Sequence, residues 1–247
     1  MGFFLVLLSV LLLSLLIPLN SGLCMSPRIS SASSSSTSSY IDFASVLLYA
    51  DQDIIACNKP PNVLSVPGIY DKDSLASVVA STFKLGNVDK LVVHRLDYHT
   101  SGVIIFARNE CALRNLHEQF RSKKFSVYKR YRAVVQGALT ESLSGEIDLP
   151  IGRDISRGPP YNEVNTTHGK NSITSWNVLS RSFESTTLAL FPRTGRTHQL
   201  RVHLSSIGHP ILGDSFYNEA YSEVFMSAGC VHVFCELCSN AICDHPL

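Results

Sequence analysis

Ionisable and hydroxyl side chains are concentrated in residues 94–102, a segment that lies between two short apolar runs. Polar residues between buried strands are costly unless they line a site, so this segment is a candidate functional loop. Asp97 stands at its centre, and the neighbouring Arg95 favours the ionised form of its carboxylate. An ionised carboxylate can act as a nucleophile or as a general base. The alternative interpretation is a structural aspartate that caps a turn over Thr100 and Ser101.

A second candidate segment, residues 128–134, places a tyrosine among cationic side chains. On a strand, Lys129, Tyr131 and Ala133 share one face, while Arg130 and Arg132 share the other. An aromatic ring beside positive charges is suited to stacking on a nucleic-acid base next to its phosphates. Plain packing against neighbouring strands is the alternative role for such a ring.

The third candidate segment, residues 193–203, joins a glycine turn to the predicted start of a helix. Gly195 permits the turn, and the free N–H groups at a helix start attract anions. Arg196 lies at this junction and Arg201 follows about one helical turn later. Both arginines could bind a phosphate or pair with a buried carboxylate. A helix with surface arginines is the alternative.

The overall charge does not indicate a partner, because the formal net charge of the 247-residue chain is only +1. Positive charge is concentrated locally, since residues 108–137 contain eight lysines or arginines and two glutamates. This local excess suits contact with a phosphate backbone, and a solvated helix face is the alternative. The candidate contacts within it are Lys123, Lys124, Lys129 and Arg130.

The elements that must position these residues are predicted from the spacing of apolar residues. Apolar runs of strand length occupy residues 53–59, 91–94, 103–107, 127–135, 173–179 and 187–191. Helices are predicted over residues 110–123, capped by Asn109, and over residues 198–207, capped by Thr197 and ended by Gly208. Strands and helices do not alternate strictly. The pattern therefore predicts an α+β fold with a central, largely antiparallel mixed sheet flanked by helices and loops.

The first 43 residues do not resemble part of a folded domain. Residues 3–17 are almost entirely apolar but shorter than the ~20 residues of a membrane span, and residues 30–39 are rich in serine. A serine-rich leader without acidic residues is typical of an organellar (chloroplast or mitochondrial) transit peptide. A secretory signal or membrane anchor, or a cytoplasmic protein that starts at Met25, are the alternatives. We expect a disordered leader over residues 1–43 and a folded domain over residues 44–227.

Residues 228–247 form an atypical tail that is rich in cysteine. The spacing of Cys235 and Cys238 permits a zinc site, but a zinc module normally has a second ligand pair. We therefore predict that these cysteines are incidental and that the chain binds no metal. Cys57 and Cys111 stand in apolar surroundings and are predicted to be reduced core residues.

Taken together, the three candidate segments resemble one family. Residues 94–102, His-Arg-Leu-Asp-Tyr-His-Thr-Ser-Gly, are similar to the HRLDxxTSG signature of the large-ribosomal-subunit type A family of pseudouridine synthases. The match is specific because the seven specified residues of this nine-position signature, with its central aspartate, rarely coincide by chance. Further blocks in the family's order are residues 53–64, 129–133, 149–153, 195–201 and 208–214. The resemblance covers roughly residues 46–217.

The resemblance implies an RNA pseudouridine synthase with the catalytic fold of that family. Such an enzyme breaks the N-glycosidic bond of a uridine, rotates the uracil and rejoins it through C5, with no metal or organic cofactor. By the same resemblance, Asp97 is the catalytic carboxylate and Tyr131 stacks on the target base and assists proton transfer at C5. Arg196 is the expected ion-pair partner of Asp97, with Arg201 as the second choice.

The implied partner is RNA with a flipped-out target uridine, because a base inside a duplex is inaccessible. We expect a monomer without a membrane partner for the mature domain. The predicted RNA contacts are Arg95, Lys123, Lys124, Lys129, Arg130 and Arg201. One rival class is a catalytically impaired RNA-binding form, because the tail departs from the family's last block. The other is a hydrolase of phosphate esters with an aspartate nucleophile. Such an enzyme normally requires a second carboxylate two positions after the first, where this chain has His99.

Overall fold

The computed structural model describes residues 42–68, 73–121, 128–218 and 233–238. Its helices are α1 (Phe43–Val46), α2 (Leu75–Thr82), α3 (Glu110–Arg121) and α4 (Gln199–Ser206), with a 3-10 turn at Val88–Lys90. Its strands are β1 (Leu47–Ala50), β2 (Ile54–Lys59), β3 (Ser101–Ala107), β4 (Tyr128–Gln136), β5 (Ser144–Asp148), β6 (Ile151–Arg153), β7 (Asn162–Val164), β8 (Ile173–Arg181), β9 (Ser185–Pro192) and β10 (Val233–Cys238). None of the helices in these ranges has the length and apolar composition that crossing a bilayer requires.

Eight of the described strands form one sheet in the order β1-β2-β3-β10-β4-β9-β8-β5. Neighbouring strands in this sheet run antiparallel, except for β10 and β3, which are parallel. Strands β6 and β7 form a separate antiparallel pair. The predicted α+β class with a largely antiparallel mixed sheet is confirmed.

The last described strand, β10, lies near the centre of the sheet. Phe234 is opposite Ser101 in β3, and Cys235 is opposite Tyr131 in β4. The sequence had placed residues 228–247 in a tail outside the folded domain. That boundary needs correction, because the backbone of residues 233–238 has a paired strand on each side.

The buried apolar side chains form two main clusters, one on each side of β10. The first lies around β2, β3, α2 and α3 and includes Ile55, Leu75 and Phe106. The second lies around β4, β8, β9 and α4 and includes Val135 and Leu188. Tyr131 packs against both clusters. The candidate tyrosine of β4 therefore lies at the junction of the two halves of the core.

The predicted strands and helices are present with small shifts at their ends, and two details differ. Asn109 caps α3 as predicted, since its Oδ1 accepts a hydrogen bond of 2.8 Å from the Ala112 N–H. Thr197 does not cap α4. The N-cap is His198, whose φ of +56° lies in the left-handed region and whose side chain makes no capping bond. Residues 91–94 form only an isolated bridge between Val92 and Phe106.

Cys57 and Cys111, whose side chains the structure describes, differ in environment. Cys57 is buried, and burial raises the pKa of its thiol to about 12, which fits an unreactive core residue. Cys111 is exposed on α3, so its prediction as a core residue was wrong. The apolar residues beside it in sequence face the core from other positions of the helix, where Ala112 and Leu116 are buried.

Candidate active site

The backbone around Asp97 is held by a buried serine from another segment. Ser65 Oγ donates to the Leu96 carbonyl at 2.6 Å and accepts from the Leu96 N–H at 3.0 Å. The turn is closed by the Thr100 N–H, which donates to the backbone carbonyl of Asp97 at 3.0 Å. Asp97 is therefore fixed from both sides, as a catalytic side chain must be to keep its geometry.

A buried lysine supports the same turn. Lys59, at the end of β2, has a fully buried side chain whose Nζ donates to the carbonyls of Pro60, Val63 and Tyr98 at 2.9, 2.7 and 3.1 Å. Burial lowers the pKa of this ammonium to about 7, and the negative charge of Asp97 opposes the shift. Lys59 had no assigned role in the sequence, although a lysine at the end of an apolar strand is unusual enough to signal one.

A hydrogen bond of His94 connects the start of residues 94–102 to β3. Its Nε2 accepts a hydrogen bond of 3.1 Å from the Ile105 N–H, and its ring stacks on Phe120 with centroids 4.8 Å apart. Burial lowers the pKa of His94 to about 3, helped by the charge of Lys129, so the ring is neutral at physiological pH. His94 thus acts as a neutral structural anchor for the loop that carries Asp97.

Asp97 lines a cavity of about 520 Å³ whose walls come from distant parts of the chain. The loop at residues 94–100 forms one wall, β4 forms another, and the turn before α4 with the start of that helix closes the cavity. Candidate residues from all three sequence segments meet here, namely Arg95, Asp97, Lys129, Tyr131, Arg196 and Arg201. The tertiary structure therefore joins the three candidate segments in one site of a volume suited to a small ligand.

Arg201 is buried in this cavity wall and paired with Asp214. Its Nε and Nη2 donate to the two carboxylate oxygens at 2.8 and 2.6 Å. Burial disfavours the charged guanidinium, but the hydrogen bond and charge of Asp214, together with the charge of Asp97, raise its pKa overall. The prediction that Arg201 binds RNA phosphates does not fit this arrangement, because its guanidinium is enclosed and already holds a carboxylate.

Arg196 lies in the cavity wall but does not pair with Asp97. Its Nε and Nη2 both donate to the Asn171 carbonyl at 3.2 Å, and the ion pairs of the described residues do not join it to Asp97. The predicted pairing was therefore wrong for this structure. The charge of Asp97 instead acts on buried Lys59 and Arg201, whose pKa values it raises against the effect of burial.

The turn that carries Arg196 is organised by Gln199, the first residue of α4. Gln199 Oε1 accepts from Thr194 Oγ1 at 2.7 Å and from the Arg196 N–H at 3.1 Å. Its Nε2 donates to the Ile173 carbonyl and to Thr174 Oγ1 at 3.0 and 2.9 Å. The turn is thereby fixed to β8, which keeps Arg196 at the edge of the cavity.

The remaining predicted RNA contacts are dispersed. Arg95 is exposed and lines the cavity, and Lys129 lines it as well, with Nζ 6.0 Å from the ring centre of Phe120. Arg130 is half-buried and is not part of the cavity lining. Lys123 and Lys124 lie outside the described residues.

His198 is a cavity residue that the sequence did not single out. Its Nδ1 lies 2.8 Å from the Tyr217 hydroxyl, which itself accepts from the Asn162 N–H at 3.0 Å. Burial lowers the pKa of His198, against the charge of Asp97. Sequence gave no signal for this contact, because Tyr217 is 19 positions away.

Comparison with known proteins identifies this site. Residues 53–206 match the family of RNA pseudouridylate synthases. The chain belongs to this family. It is an RNA pseudouridine synthase, an isomerase that converts uridine in RNA into pseudouridine. The resemblance noted in the sequence is thereby confirmed.

Curated relatives of this synthase are similar over most of its length. The dual-specificity RNA pseudouridine synthase RluA of Haemophilus influenzae is 39% identical over 189 residues, which are 75% of this chain and 83% of that protein. The RluA protein of Yersinia pestis is 43% identical over 175 residues, 70% of this chain and 81% of the relative. Among solved structures, human RNA pseudouridylate synthase domain containing 1 superposes with a TM-score of 0.63 at 26% identity and covers 80% of both chains.

Proposed function

We propose that Asp97 is the catalytic carboxylate of this synthase and that the cavity around it holds the target uridine. The observation that supports this most strongly is the convergence of the three candidate segments on one cavity of about 520 Å³ with Asp97 in its wall. Ser65 and Lys59 hold the backbone on both sides of Asp97, so the position of this residue is set before substrate binds.

In the proposed reaction the bond between N1 of the uracil and C1′ of the ribose breaks, and a bond between C5 and C1′ forms. The proton on C5 is lost and N1 gains one, so the product is an isomer of the substrate. Asp97 supplies the carboxylate for this exchange, as a nucleophile or as a base. Tyr131 stacks on the base and assists proton transfer at C5, which agrees with its place in the cavity wall.

A base that remains paired and stacked in a duplex is inaccessible to side chains in a cavity wall, so the target uridine is flipped out of its helix or loop. Arg95, Lys129 and Arg196 all line the cavity and are the proposed contacts to the RNA around that nucleotide. Arg196 has donors besides the two that reach Asn171, because a guanidinium carries five N–H groups. Lys123, Lys124 and Arg130 are further proposed RNA contacts, on the local excess of positive charge in the sequence.

The cellular setting is a further proposal. The serine-rich leader favours import into an organelle, where the mature synthase acts as a monomer on RNA without a membrane partner. The relatives are named for dual specificity or for the large ribosomal subunit, so structured RNA is the proposed substrate class.

The decisive experiment replaces Asp97 by Asn, which keeps the shape of the side chain and removes its charge. We expect pseudouridine formation in total RNA to be abolished while RNA affinity changes little. The matched control is Asp89→Asn, at an exposed aspartate outside the cavity, which should behave as the wild type. Substantial turnover by the Asp97 variant contradicts the assignment. A wild type that binds RNA without forming pseudouridine favours the catalytically impaired alternative.

A further inference from the structure

Tyr98 is an exposed aromatic residue beside the proposed catalytic carboxylate. It follows Asp97 directly, and 44% of its surface is exposed. Asp97 and Thr100 line the cavity, whereas Tyr98 does not. Its ring is therefore not part of the cavity lining, although Tyr98 directly follows a residue that is. Tyr98 and His99 occupy the two positions that the signature in residues 94–102 leaves open.

The ring of Tyr98 is supported from behind by other side chains. It meets the His99 ring edge to face, with centroids 4.8 Å apart and planes at 79°. His99 is anchored in turn, since its Nδ1 lies 2.8 Å from Asn62 Oδ1 and its ring is 6.3 Å from that of Phe216. The Tyr98 carbonyl accepts from Lys59 Nζ at 3.1 Å. Both the backbone and the ring are thus held before binding, which lowers the entropy cost of a contact.

We propose that Tyr98, backed by His99, stacks on the base of a nucleotide that flanks the target uridine. The inference rests on the proposed function, because a uridine in the cavity leaves its sequence neighbours at the rim. Every base has an aromatic face, and proteins hold unpaired bases by stacking them on aromatic rings beside cations. Arg95 is exposed on the same loop, three positions before Tyr98, and lines the cavity, so it can meet the adjoining phosphate.

The binding test uses the Asp97→Asn background, so that turnover does not enter the measurement. The probe is a synthetic RNA stem-loop with a single loop uridine, and affinity is measured by fluorescence anisotropy. Tyr98→Ala should weaken binding by roughly 5- to 150-fold, the loss that one stacked base produces. Tyr98→Trp should bind at least as well as tyrosine. The control is Phe183→Ala, which removes a 95% exposed ring in the turn between β8 and β9 and should leave affinity unchanged.

The identity of the stacked nucleotide is tested with abasic RNA. Stem-loops that lack the base at each position flanking the uridine are bound to the variants with and without Tyr98→Ala. At the stacked position the loss of the base and the loss of the ring should not add, because they remove the same contact. Equal affinity of the Tyr98→Ala variant and its parent, or additive losses at every position, would overturn the proposal. Failure of the wild type to form pseudouridine contradicts the proposed catalytic role of Asp97. The affinity measurements still decide whether Tyr98 stacks on a flanking base, because they do not depend on turnover.

Discussion

The buried ion pair between Arg201 and Asp214 is the contact in the cavity wall whose loss should cost most stability. The two side chains are only 5% and 0% exposed, and two hydrogen bonds of 2.8 and 2.6 Å join them. Asp214 Oδ1 also accepts from the Phe216 N–H at 3.0 Å. Replacing Asp214 by Ala therefore leaves a buried guanidinium and a buried N–H without this acceptor.

Removal of one partner from a buried pair typically costs about 3–5 kcal/mol, because the remaining charge stays desolvated. Most domains are stable by only about 5–15 kcal/mol, so Asp214→Ala should lose a large part of the free energy of unfolding. Urea denaturation measures this loss as a lower midpoint, about 2 M lower for a typical slope of about 2 kcal/mol per molar.

Two further variants separate the burial of charge from the loss of a contact. The pair Arg201→Met with Asp214→Leu removes both charges and should recover most of the loss, because no unpaired charge remains. The surface control is Glu110→Gln, which breaks the Lys90–Glu110 pair of the same 2.6 Å length but with both side chains mainly exposed. Glu110→Gln should change the midpoint little, since solvent screens that pair. A small effect of Asp214→Ala, or a double variant as unstable as the single one, would refute the reasoning.

Two other predictions concern Lys59 and the C-terminal strand. Burial lowers the folded-state pKa of Lys59 to about 7, while the pKa of an unfolded lysine is about 10.4. Between these two pH values the unfolded chain therefore binds more protons than the folded chain. Stability should rise with pH across that window, and Lys59→Met should remove this rise in urea titrations, whereas the exposed control Lys90→Met should retain it. Deletion of residues 233–247 should abolish pseudouridine formation and lower the melting temperature by about 5 °C or more, because β3 and β4 lose their shared neighbour. Equal melting temperatures for this deletion and for the full chain would show that β10 is dispensable.

Local patterns in the sequence were sufficient to predict five strands of the main sheet, the helices α3 and α4, and the central residue of the site. Strands β2, β3, β8 and β9 were predicted correctly because a continuous apolar run, or a strict alternation of apolar and polar residues, is visible within a short segment. Asn109 was identified as a cap for the same reason, since the capping bond joins residues three positions apart. Asp97 was singled out because ionisable residues between apolar strands are rare without a function.

The role of each arginine could not be read from its position in the chain. Arg196 and Arg201 stand on one turn and helix, and the sequence offered both as partners of Asp97. Only packing decided that Arg201 is enclosed with Asp214, 13 positions later, and that Arg196 reaches the carbonyl of Asn171, 25 positions earlier. Such pairings depend on which segments the sheet brings together, which local periodicity does not encode.

The sequence by itself determined the fold class, the strands β2, β3, β4, β8 and β9, the helices α3 and α4 and the signature around Asp97, because these follow from apolar spacing and from residue types within short segments. The tertiary structure decided the burial of Lys59, the hydrogen bonds between Ser65 and the backbone of Leu96, and the position of β10 between β3 and β4. In β10, Phe234 pairs with Ser101 across more than a hundred residues. Contacts of this kind exist only after loop closure has brought distant strands together, and no local preference of the chain specifies them.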